Sequence, residues 1–253
     1  MLSLQNKIAI NSSGGAGGLS SIITTYGFLN AWSSENVNIS GTDTTLVDYL
    51  GEHDLVNPAA ANQPSYTASD SDFNNKPSLT YDGTTDYSYK AVANYRGSDT
   101  GGVIIGVCKV NGGIGVTFLS VSDEAANNEF SWQKITTNMY QYSIKNSGVV
   151  NSILGSTTNI NDSSAHVLST RSNASSYKMT VDSTNEAFSV AGGVDNGKWL
   201  SGNTVADNLV IGALVQTVTT YSSMDWVFTG YMPFTDDAAI LAATAELKTY
   251  YGI

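Results

Sequence analysis

Short β-branched and aromatic runs alternate along this chain with glycine, asparagine, aspartate and serine, and this pattern limits the folds open to it. Many short strands with frequent turns indicate a sandwich or a barrel. Asp82-Gly83, between two such runs, is a strong hairpin turn. The predicted strands cover 22–29, 79–81, 87–89, 102–110, 116–121, 130–132, 139–144, 166–171, 177–181, 209–213 and 226–228.

The run 102–110 is continuously apolar, as expected for a central strand of a sheet. Cys108 lies within it and is the only cysteine of the chain, so no internal disulfide can form. We predict that Cys108 is a small buried hydrophobe.

One segment near the end has helical periodicity. Thr235 is a hydroxyl cap, and Asp236 and Asp237 place two acids in the first turn, where the helix dipole favours negative charge. Gly252 marks the end of the segment. One apolar face follows at helical spacing, formed by Ile240, Ala243, Leu247 and Tyr251. The pattern predicts one C-terminal α-helix that packs against the sandwich.

The charge of the chain limits the classes of partner that it can bind. The formal net charge is −11, and only 11 lysines and arginines are spread over 253 residues, without a cluster. Nucleic-acid binding requires concentrated positive charge, and anionic membranes attract basic rather than acidic surfaces. No apolar stretch approaches the length of a membrane span. We therefore expect no nucleic-acid partner and no membrane partner.

Residues 1–20 are predicted to form an N-terminal arm in front of one domain at 21–253. A short apolar piece at 8–10 precedes a glycine- and serine-rich segment with the composition of a flexible linker. Two interpretations remain open: a frayed terminus, or a peptide that docks on a neighbouring protein and tethers the domain. The apolar piece is too short for a signal-peptide core. Since the sparsely charged composition is of an extracellular type, release by lysis inside a phage particle is our expectation, with a virion location.

Several segments, in order along the chain, are similar to those of a known superfamily. The nearest match is 75–87, a strand, the Asp82-Gly83 turn and a second strand. The other segments are Ala31-Trp32 with Val47-Asp48, 62–66, 208–213, Gly230-Tyr231-Met232 and 250–253. Together they resemble the concanavalin A-like lectin/glucanase superfamily, in the laminin G-like form common in phage and bacterial surface proteins. The resemblance implies an antiparallel jelly-roll β-sandwich with one C-terminal α-helix from about residue 20 onwards.

The chain departs from this superfamily in its closing strand. The segment 230–234 is short and lacks the acidic residue usual there. A metal or ligand site near that strand is therefore not expected.

No catalytic pattern is present in the sequence. Glucanases of this superfamily carry two or three carboxylates at alternate strand positions, whereas the nearest cluster here, Asp123-Glu124 with Glu129, is interpreted as part of a loop. His53 is interpreted as a surface residue and His166 as a hydrogen-bonded structural residue at the start of a strand. One cysteine and two histidines give little support for zinc. We predict a protein that is not an enzyme and has no catalytic residue and no metal site.

Calcium is the one ion that the resemblance leaves open, since lectin-like relatives often use it. Oxygen ligands on loops could come from Asp82, Asp86 or the stretch 70–72. Asp82-Gly83 is also fully accounted for as a turn. We therefore predict no cofactor and keep calcium as the alternative.

Aromatic residues beside polar ones indicate where a sugar could bind, because sugar faces stack on aromatic rings. From the 14 tyrosines and 4 tryptophans, we take Tyr95, Trp132 and Trp199, together with Arg96, as candidate glycan-binding residues. Tyr95 and Trp199 are expected to be the more exposed, because their neighbours are polar or glycine. The alternative is that these rings fill the sandwich core, where aromatic side chains contribute large buried areas.

These expectations favour a virion component: a head fibre, a capsid decoration protein or a tail-associated adhesin, possessing a lectin-like fold. Its partners would be other virion proteins, contacted through the N-terminal arm, and a glycan, and we expect a homo-oligomer, with a trimer as the working assumption. The alternatives are a stand-alone carbohydrate-binding module and a glycan-degrading enzyme.

Overall fold

The computed structural model describes residues 18–113, 115–123, 128–135, 139–155, 157–203, 205–214, 220–234 and 236–253. In chain order the elements are α1 (Leu19–Thr25), β1 (Asn30–Ser33), β2 (Val37–Ser40), β3 (Asp43–Leu46), β4 (Leu55–Val56), β5 (Ser65–Asp70), β6 (Lys76–Asp82), β7 (Ser88–Ala91), β8 (Gly102–Val110), β9 (Val116–Ser122), β10 (Glu129–Lys134), β11 (Tyr140–Asn146), β12 (Val149–Gly155), β13 (Ala165–Ser172), β14 (Tyr177–Val181), β15 (Thr184–Glu186), β16 (Phe188–Gly192), β17 (Asn208–Ile211), β18 (Ala213–Leu214), β19 (Thr220–Tyr221), β20 (Ser223–Met232) and α2 (Asp237–Tyr251).

Two large antiparallel sheets form the sandwich that the sequence predicts. One sheet has the order β15-β14-β13-β8-β20-β6-β5, with β1 also paired to β20. The other has ten strands in the order β16-β12-β11-β10-β9-β17-β7-β4-β3-β2. A small hairpin, β18-β19, follows β17. The prediction of an antiparallel β-sandwich with a C-terminal helix is confirmed.

The main core fills the space between the two sheets, and strand alternation explains how it is built. In β11, Tyr140, Tyr142 and Ile144 are buried in this core, while the residues between them lie on the opposite face of the sheet. The four tryptophans of the chain, Trp32, Trp132, Trp199 and Trp226, are also buried there. The large aromatic side chains therefore supply much of the apolar area that holds the two sheets together.

A second core lies between the eight-stranded sheet and the two helices. Val103, Ile105 and Val107 of β8 point into it, whereas Ile104 and Cys108 belong to the main core. The strand is buried on both faces, which accounts for its continuous apolar sequence. Both predictions are confirmed: β8 is central, between β13 and β20, and Cys108 is a buried free thiol.

Helix α1 replaces a strand that was predicted at 22–29, so this prediction is wrong. Leu19, Ile22 and Ile23 share one helical face and are buried in the second core, packed with α2. This packing outweighs the strand preference of the β-branched residues, because propensity is a weak local effect. Leu19 and Ser20, assigned to the N-terminal arm, belong to α1; residues 1–17 of that arm lie outside the described residues.

Helix α2 confirms the predicted C-terminal helix, with a different cap. The Asp236 carboxylate accepts a hydrogen bond from the Ala239 amide at 2.8 Å, and Thr235, the predicted cap, lies outside the described residues. Gly252 ends the helix in the left-handed conformation, at φ 72°. The predicted apolar face is buried as expected, at Ile240, Ala243, Leu247 and Tyr251.

The closing strand is longer than predicted. Segments 226–228 and 230–232 belong to one ten-residue strand, β20, joined through a register shift between Trp226 and Phe228. It contains the acidic Asp225, whose carboxylate accepts a hydrogen bond from the Thr80 hydroxyl at 2.7 Å. The expectation of a short closing strand without an acid is therefore wrong, because 226–228 and 230–232 were treated as separate segments.

Candidate functional site

The two outer faces of the sandwich differ. Helices α1 and α2 cover the eight-stranded sheet, through the second core. Within the described ranges, no such helical layer is packed on the outer face of the ten-stranded sheet. That face is therefore the broad sheet surface on which a ligand could lie.

A row of side chains crosses this outer face in direct register. It runs through Ser152, Ser143, Ser131, Ser120, Val210, Tyr89, Val56, Thr45 and Asn38, from β12 to β2. Its central members, Ser120, Ser131 and Val210, are buried, while Ser143 and Tyr89 are partly exposed. We call the part of the row with Ser152 and Ser143 the polar half and the part with Tyr89 the tyrosine half. The residues between them are buried.

Three partly buried tyrosines gather at the tyrosine half. Tyr87, Tyr89 and Tyr221 pack against the buried Val210 and Ala213, separately from the main core. The ring centroids of Tyr87 and Tyr221 are 6.1 Å apart, with an interplanar angle of 47°. Burial, together with the neighbouring Tyr221 and Tyr89 hydroxyls, raises the pKa of Tyr87. We call Tyr87, Tyr89 and Tyr221 the tyrosine cluster.

The turn before β7 holds the tyrosine cluster in place. The Asp82 carboxylate accepts hydrogen bonds from the amides of Thr84 and Thr85, both at 2.8 Å, and of Asp86, at 3.1 Å. In return, the buried Asp86 accepts one from the Asp82 amide at 3.1 Å. Burial and the charge of Asp82 raise the pKa of Asp86 to about 6. These bonds fix the chain immediately before Tyr87.

The same hydrogen bonds bear on the calcium alternative. The carboxylates of Asp82 and Asp86 are occupied by backbone amides, and Asp70 accepts from the Ser78 hydroxyl at 2.7 Å and from the Asp72 amide at 3.0 Å. No group of three histidine, cysteine, aspartate or glutamate residues suited to a metal ion occurs in the part of the chain that the structure describes. These aspartates act as turn-forming residues here.

Trp132 and Trp199, two of the predicted glycan-binding residues, are fully buried. Trp199 stacks on Tyr142, with ring centroids 5.0 Å apart and an angle of 8°. The Trp132 indole donates a hydrogen bond to the Thr170 hydroxyl at 3.1 Å. The predicted exposure of Trp199 is therefore wrong, because its ring is enclosed between the sheets and has no open face for a sugar.

Tyr95 and Arg96, the other two predicted residues, anchor strand β1. Tyr95 is buried, and its hydroxyl donates to the Asn30 side-chain oxygen at 3.1 Å. The Arg96 guanidinium donates to the same oxygen at 2.8 Å and to the Leu29 carbonyl at 3.3 Å. The predicted exposure of Tyr95 is wrong, although Arg96 remains partly exposed. The structure brings these two residues together but separates them from the tyrosine cluster.

Both histidines and the acidic loop can also be placed. His166 lies near the start of β13 and hydrogen-bonds to two carboxylates, which confirms its predicted structural role. His53 is half-buried, and its ring lies against Tyr95 at 5.5 Å between centroids. Asp123 accepts from the Asn128 side chain at 2.8 Å. Glu124 lies outside the described residues.

The tyrosine cluster was not identified from the sequence. Tyr87 and Tyr89 stand two residues apart within the predicted strand 87–89, and this spacing is the signal that could have marked them. In the structure Tyr87 immediately precedes β7. Tyr221 is distant in the chain and joins them only through the fold.

No helix in the described segments is long and apolar enough to span a membrane.

No family profile matches the sequence, and no curated protein sequence matches it. Solved structures do resemble the fold. The CBM40 of Ruminococcus gnavus IT-sialidase, solved with α2,3-sialyllactose, shares 13% identity at a TM-score of 0.55, over 66% of this chain and 96% of that one. Trypanosoma rangeli sialidase shares 9% identity at a TM-score of 0.58, over 88% of this chain and 33% of that one. At such identities the likeness establishes a lectin-like β-sandwich fold alone.

Proposed function

We propose that this chain is a lectin-like domain that binds glycans at the tyrosine cluster and is not an enzyme. The observation that carries the proposal is the gathering of three partly exposed tyrosines over an apolar floor on the outer face of the ten-stranded sheet, which no helix of the described ranges covers. A tyrosine ring offers an apolar face to the C–H side of a pyranose and a hydroxyl to its polar edge. The site therefore supplies both kinds of contact that a sugar requires.

The polar half of the cross-strand row extends this surface. Gln133, Gln141 and Ser143 are partly exposed on the same face as Ser131. Three strand spacings separate β7 from β10, which is roughly 14 Å. Ser120 and Ser131, between the two, are buried, so the polar half is a separate, partly exposed patch that further units of an oligosaccharide could reach beyond the sugar on the tyrosines.

The likeness to a CBM40 solved with sialyllactose makes sialylated glycans the first class to test. The proposal predicts binding of 3′-sialyllactose measured by calorimetry. Tyr87→Ala and Tyr221→Ala should each weaken it about fivefold, since an aromatic contact contributes roughly 1 kcal/mol and about 1.4 kcal/mol is tenfold. Tyr26→Ala is the matched control, because Tyr26 lies on the helical side and bonds Glu246.

A glycan array covers the remaining sugar classes. Binding that survives in Tyr87→Ala and Tyr221→Ala but is lost in Tyr26→Ala would place the site elsewhere. Silence of the wild-type protein on the whole array would refute glycan binding.

The absence of hydrolysis is supported by the acidic residues available. Among strands β7, β9, β10, β11, β12 and β17, the sequence places a single carboxylate, Glu129. Burial raises the pKa of Glu129, while Ser131 and Lys145 act in the opposite direction. A glycosidase normally requires two carboxylates across the scissile bond. Release of reducing ends from sialylated or capsular glycans by the purified protein would overturn this part.

We further propose that the domain is displayed on a phage particle, as a head fibre, decoration or tail-associated protein. Support comes from the sparsely charged composition, from the linker-like segment before α1 and from the resemblance to phage surface domains. Antibody labelling of purified particles by electron microscopy tests it. Labelled particles are expected, and a protein found only free of particles would contradict the proposal.

A further inference from the structure

Strand β16 is the outermost strand of the ten-stranded sheet. It pairs with β12 on one side, from Gly155 opposite Phe188 to Ser152 opposite Gly192. Among the described strands, none pairs with its other side. An edge of this kind presents unpaired backbone N–H and C=O groups to another chain.

Exposed valines surround this edge. Half of the eight large exposed apolar residues in the described ranges lie here: Val149 (61% exposed), Val150 (38%), Val190 (45%) and Val194 (59%). They lie on both faces of the sheet at this edge: Val190 is opposite the core residue Ile153, whereas Val150 is two residues from Ser152 on the outer face. A Cβ built on Gly192 would lie 3.5 Å from the Val150 side chain, and the Val194 amide donates to the Asn151 side chain at 3.3 Å. We call β16 with Val149, Val150 and Val194 the valine edge.

The valine edge has little of the protection usual at sheet edges. Residues 188–194 contain no charged residue and no proline. A register shift opposite Ser152 and Ile153 leaves Ala191 without a direct partner, and such a bulge protects only the end of the strand. Phe188, Ser189 and Val190 remain in straight pairing with β12.

The acidic residues on either side of this segment are held within their own subunit. The Glu186 carboxylate accepts from the amides of Thr157 at 2.6 Å and Thr158 at 2.8 Å. The Asp195 carboxylate accepts from the Tyr177 amide at 2.9 Å. Neither carboxylate therefore needs to lie against a partner chain.

From these observations we infer that the valine edge binds a second copy of this chain, through antiparallel pairing of β16 with β16 about a two-fold axis. A two-fold contact places the same patch of both copies face to face, so apolar residues meet apolar residues. The net charge of −11 favours an uncharged patch as the contact, because most other contacts between two copies would bring like charges together. Residues 188–194 carry no charged side chain, so like charges do not oppose each other within this segment.

The assembly is a dimer, in place of the trimer assumed from the sequence. Side-by-side antiparallel pairing joins the two ten-stranded sheets and keeps their outer faces on the same side. If the proposed function holds, a dimer then presents two tyrosine clusters in one direction. Dimerisation itself does not depend on glycan binding.

Sedimentation velocity of the full chain over a concentration series tests the inference. Wild-type protein should sediment as a dimer at tens of micromolar, and Val190→Lys should weaken dimerisation at least tenfold. Val205→Lys is the matched control, because Val205 is 55% exposed away from the valine edge, and it should remain dimeric. Val149→Lys repeats the test at a side chain too exposed for its replacement to disturb folding, with circular dichroism as the folding check.

Three results would overturn the inference. One is a wild-type monomer at every concentration, and another is a folded Val149→Lys that dimerises like the wild type. The third is loss of the dimer in Ile8→Asp/Ile10→Asp, which would make the N-terminal apolar piece the occupant of the edge. A tyrosine-cluster variant that loses glycan binding but still dimerises separates this inference from the proposed function.

Discussion

Nδ1 of His166 lies 2.9 Å from a carboxylate oxygen of Asp182, and Nε2 of the same ring lies 3.1 Å from Asp162. Burial disfavours the charged ring, but the hydrogen bonds and charges of Asp182 and Asp162 outweigh it and raise the pKa of His166 above 6.5. The pKa values of Asp162 and Asp182 are lowered; burial opposes this shift, and hydrogen bonding, including that to His166, outweighs it. The three side chains join the segment before β13 to the end of β14.

This arrangement predicts a loss of stability as the pH rises above 6.5. A raised histidine pKa contributes stability below pH 6.5 that disappears as the pH rises through the folded-state value. The melting temperature of the wild type should therefore fall more between pH 6 and pH 8 than that of His166→Gln. His53→Gln is the control, because burial lowers the pKa of His53, and its effect lies on the acid side. Equal slopes in the wild type and His166→Gln would contradict the prediction.

An ion pair between a buried arginine and a partly exposed aspartate joins the sandwich to α2. The Arg171 side chain is buried, and it donates to Asp237 at 2.9 Å and to Asn185 at 2.8 Å. Removing Asp237 leaves a buried cation without its counter-ion, so Asp237→Ala should lower the free energy of unfolding by about 2–3 kcal/mol. Lys178 also contacts Asp237 but is 49% exposed. Lys178→Ala should cost less than about 1 kcal/mol, and urea denaturation that gave equal losses would disprove the assignment.

Replacement of Leu247 is the clearest test of how much the packing of α2 contributes to stability. Leu247 is buried in the second core, whereas Leu241 on the same helix is only partly buried. Leu247→Ala should cost about 2–5 kcal/mol in free energy of unfolding. Leu241→Ala should cost less, since a partly exposed side chain loses less buried area. Thermal or urea unfolding in which the two variants match would mean that α2 contributes little packing.

The Asp82 turn predicts the response to calcium. Because backbone amides already occupy the Asp82 carboxylate, addition of calcium or of a chelator should leave the melting temperature unchanged. Asp82→Ala removes charged hydrogen bonds and should cost about 1–2 kcal/mol, together with a loss of glycan affinity through displacement of Tyr87. Asp43→Ala, at an exposed aspartate of β3, is the control and should change neither property. A calcium-dependent rise in melting temperature would show that an ion displaces these hydrogen bonds.

Local patterns in the sequence predicted the elements whose signal is local. The helical face of α2 and the apolar β8 could be recognised because periodicity alone defines them. Helix α1 was missed because its β-branched residues favour a strand, and only contact with α2 selects the helix. The full length of β20 was missed for the same reason: its partner, β8, is remote in the chain.

The candidate site was harder to predict because exposure depends on the whole fold. Trp199 has polar and glycine neighbours in sequence, yet its ring lies flat against Tyr142, which comes from a distant strand. Tyr95 likewise turns inward to Asn30. Conversely, Tyr221 reaches Tyr87 only after the sheet has formed. Residue type suggested aromatic recognition, whereas the choice of aromatics required tertiary structure.

Helices α1 and α2 cover the eight-stranded sheet, which we call the back of the domain, and the outer face of the ten-stranded sheet is its front. Chain that precedes Leu19 joins α1, on the back, while the tyrosine cluster lies on the front with both sheets in between. Under the proposed function, an anchor joined to the chain before Leu19 would start from the face opposite the tyrosines. Pairing of two domains along β16 would keep that common orientation, so the two tyrosine clusters of a dimer would face the same glycan-bearing surface.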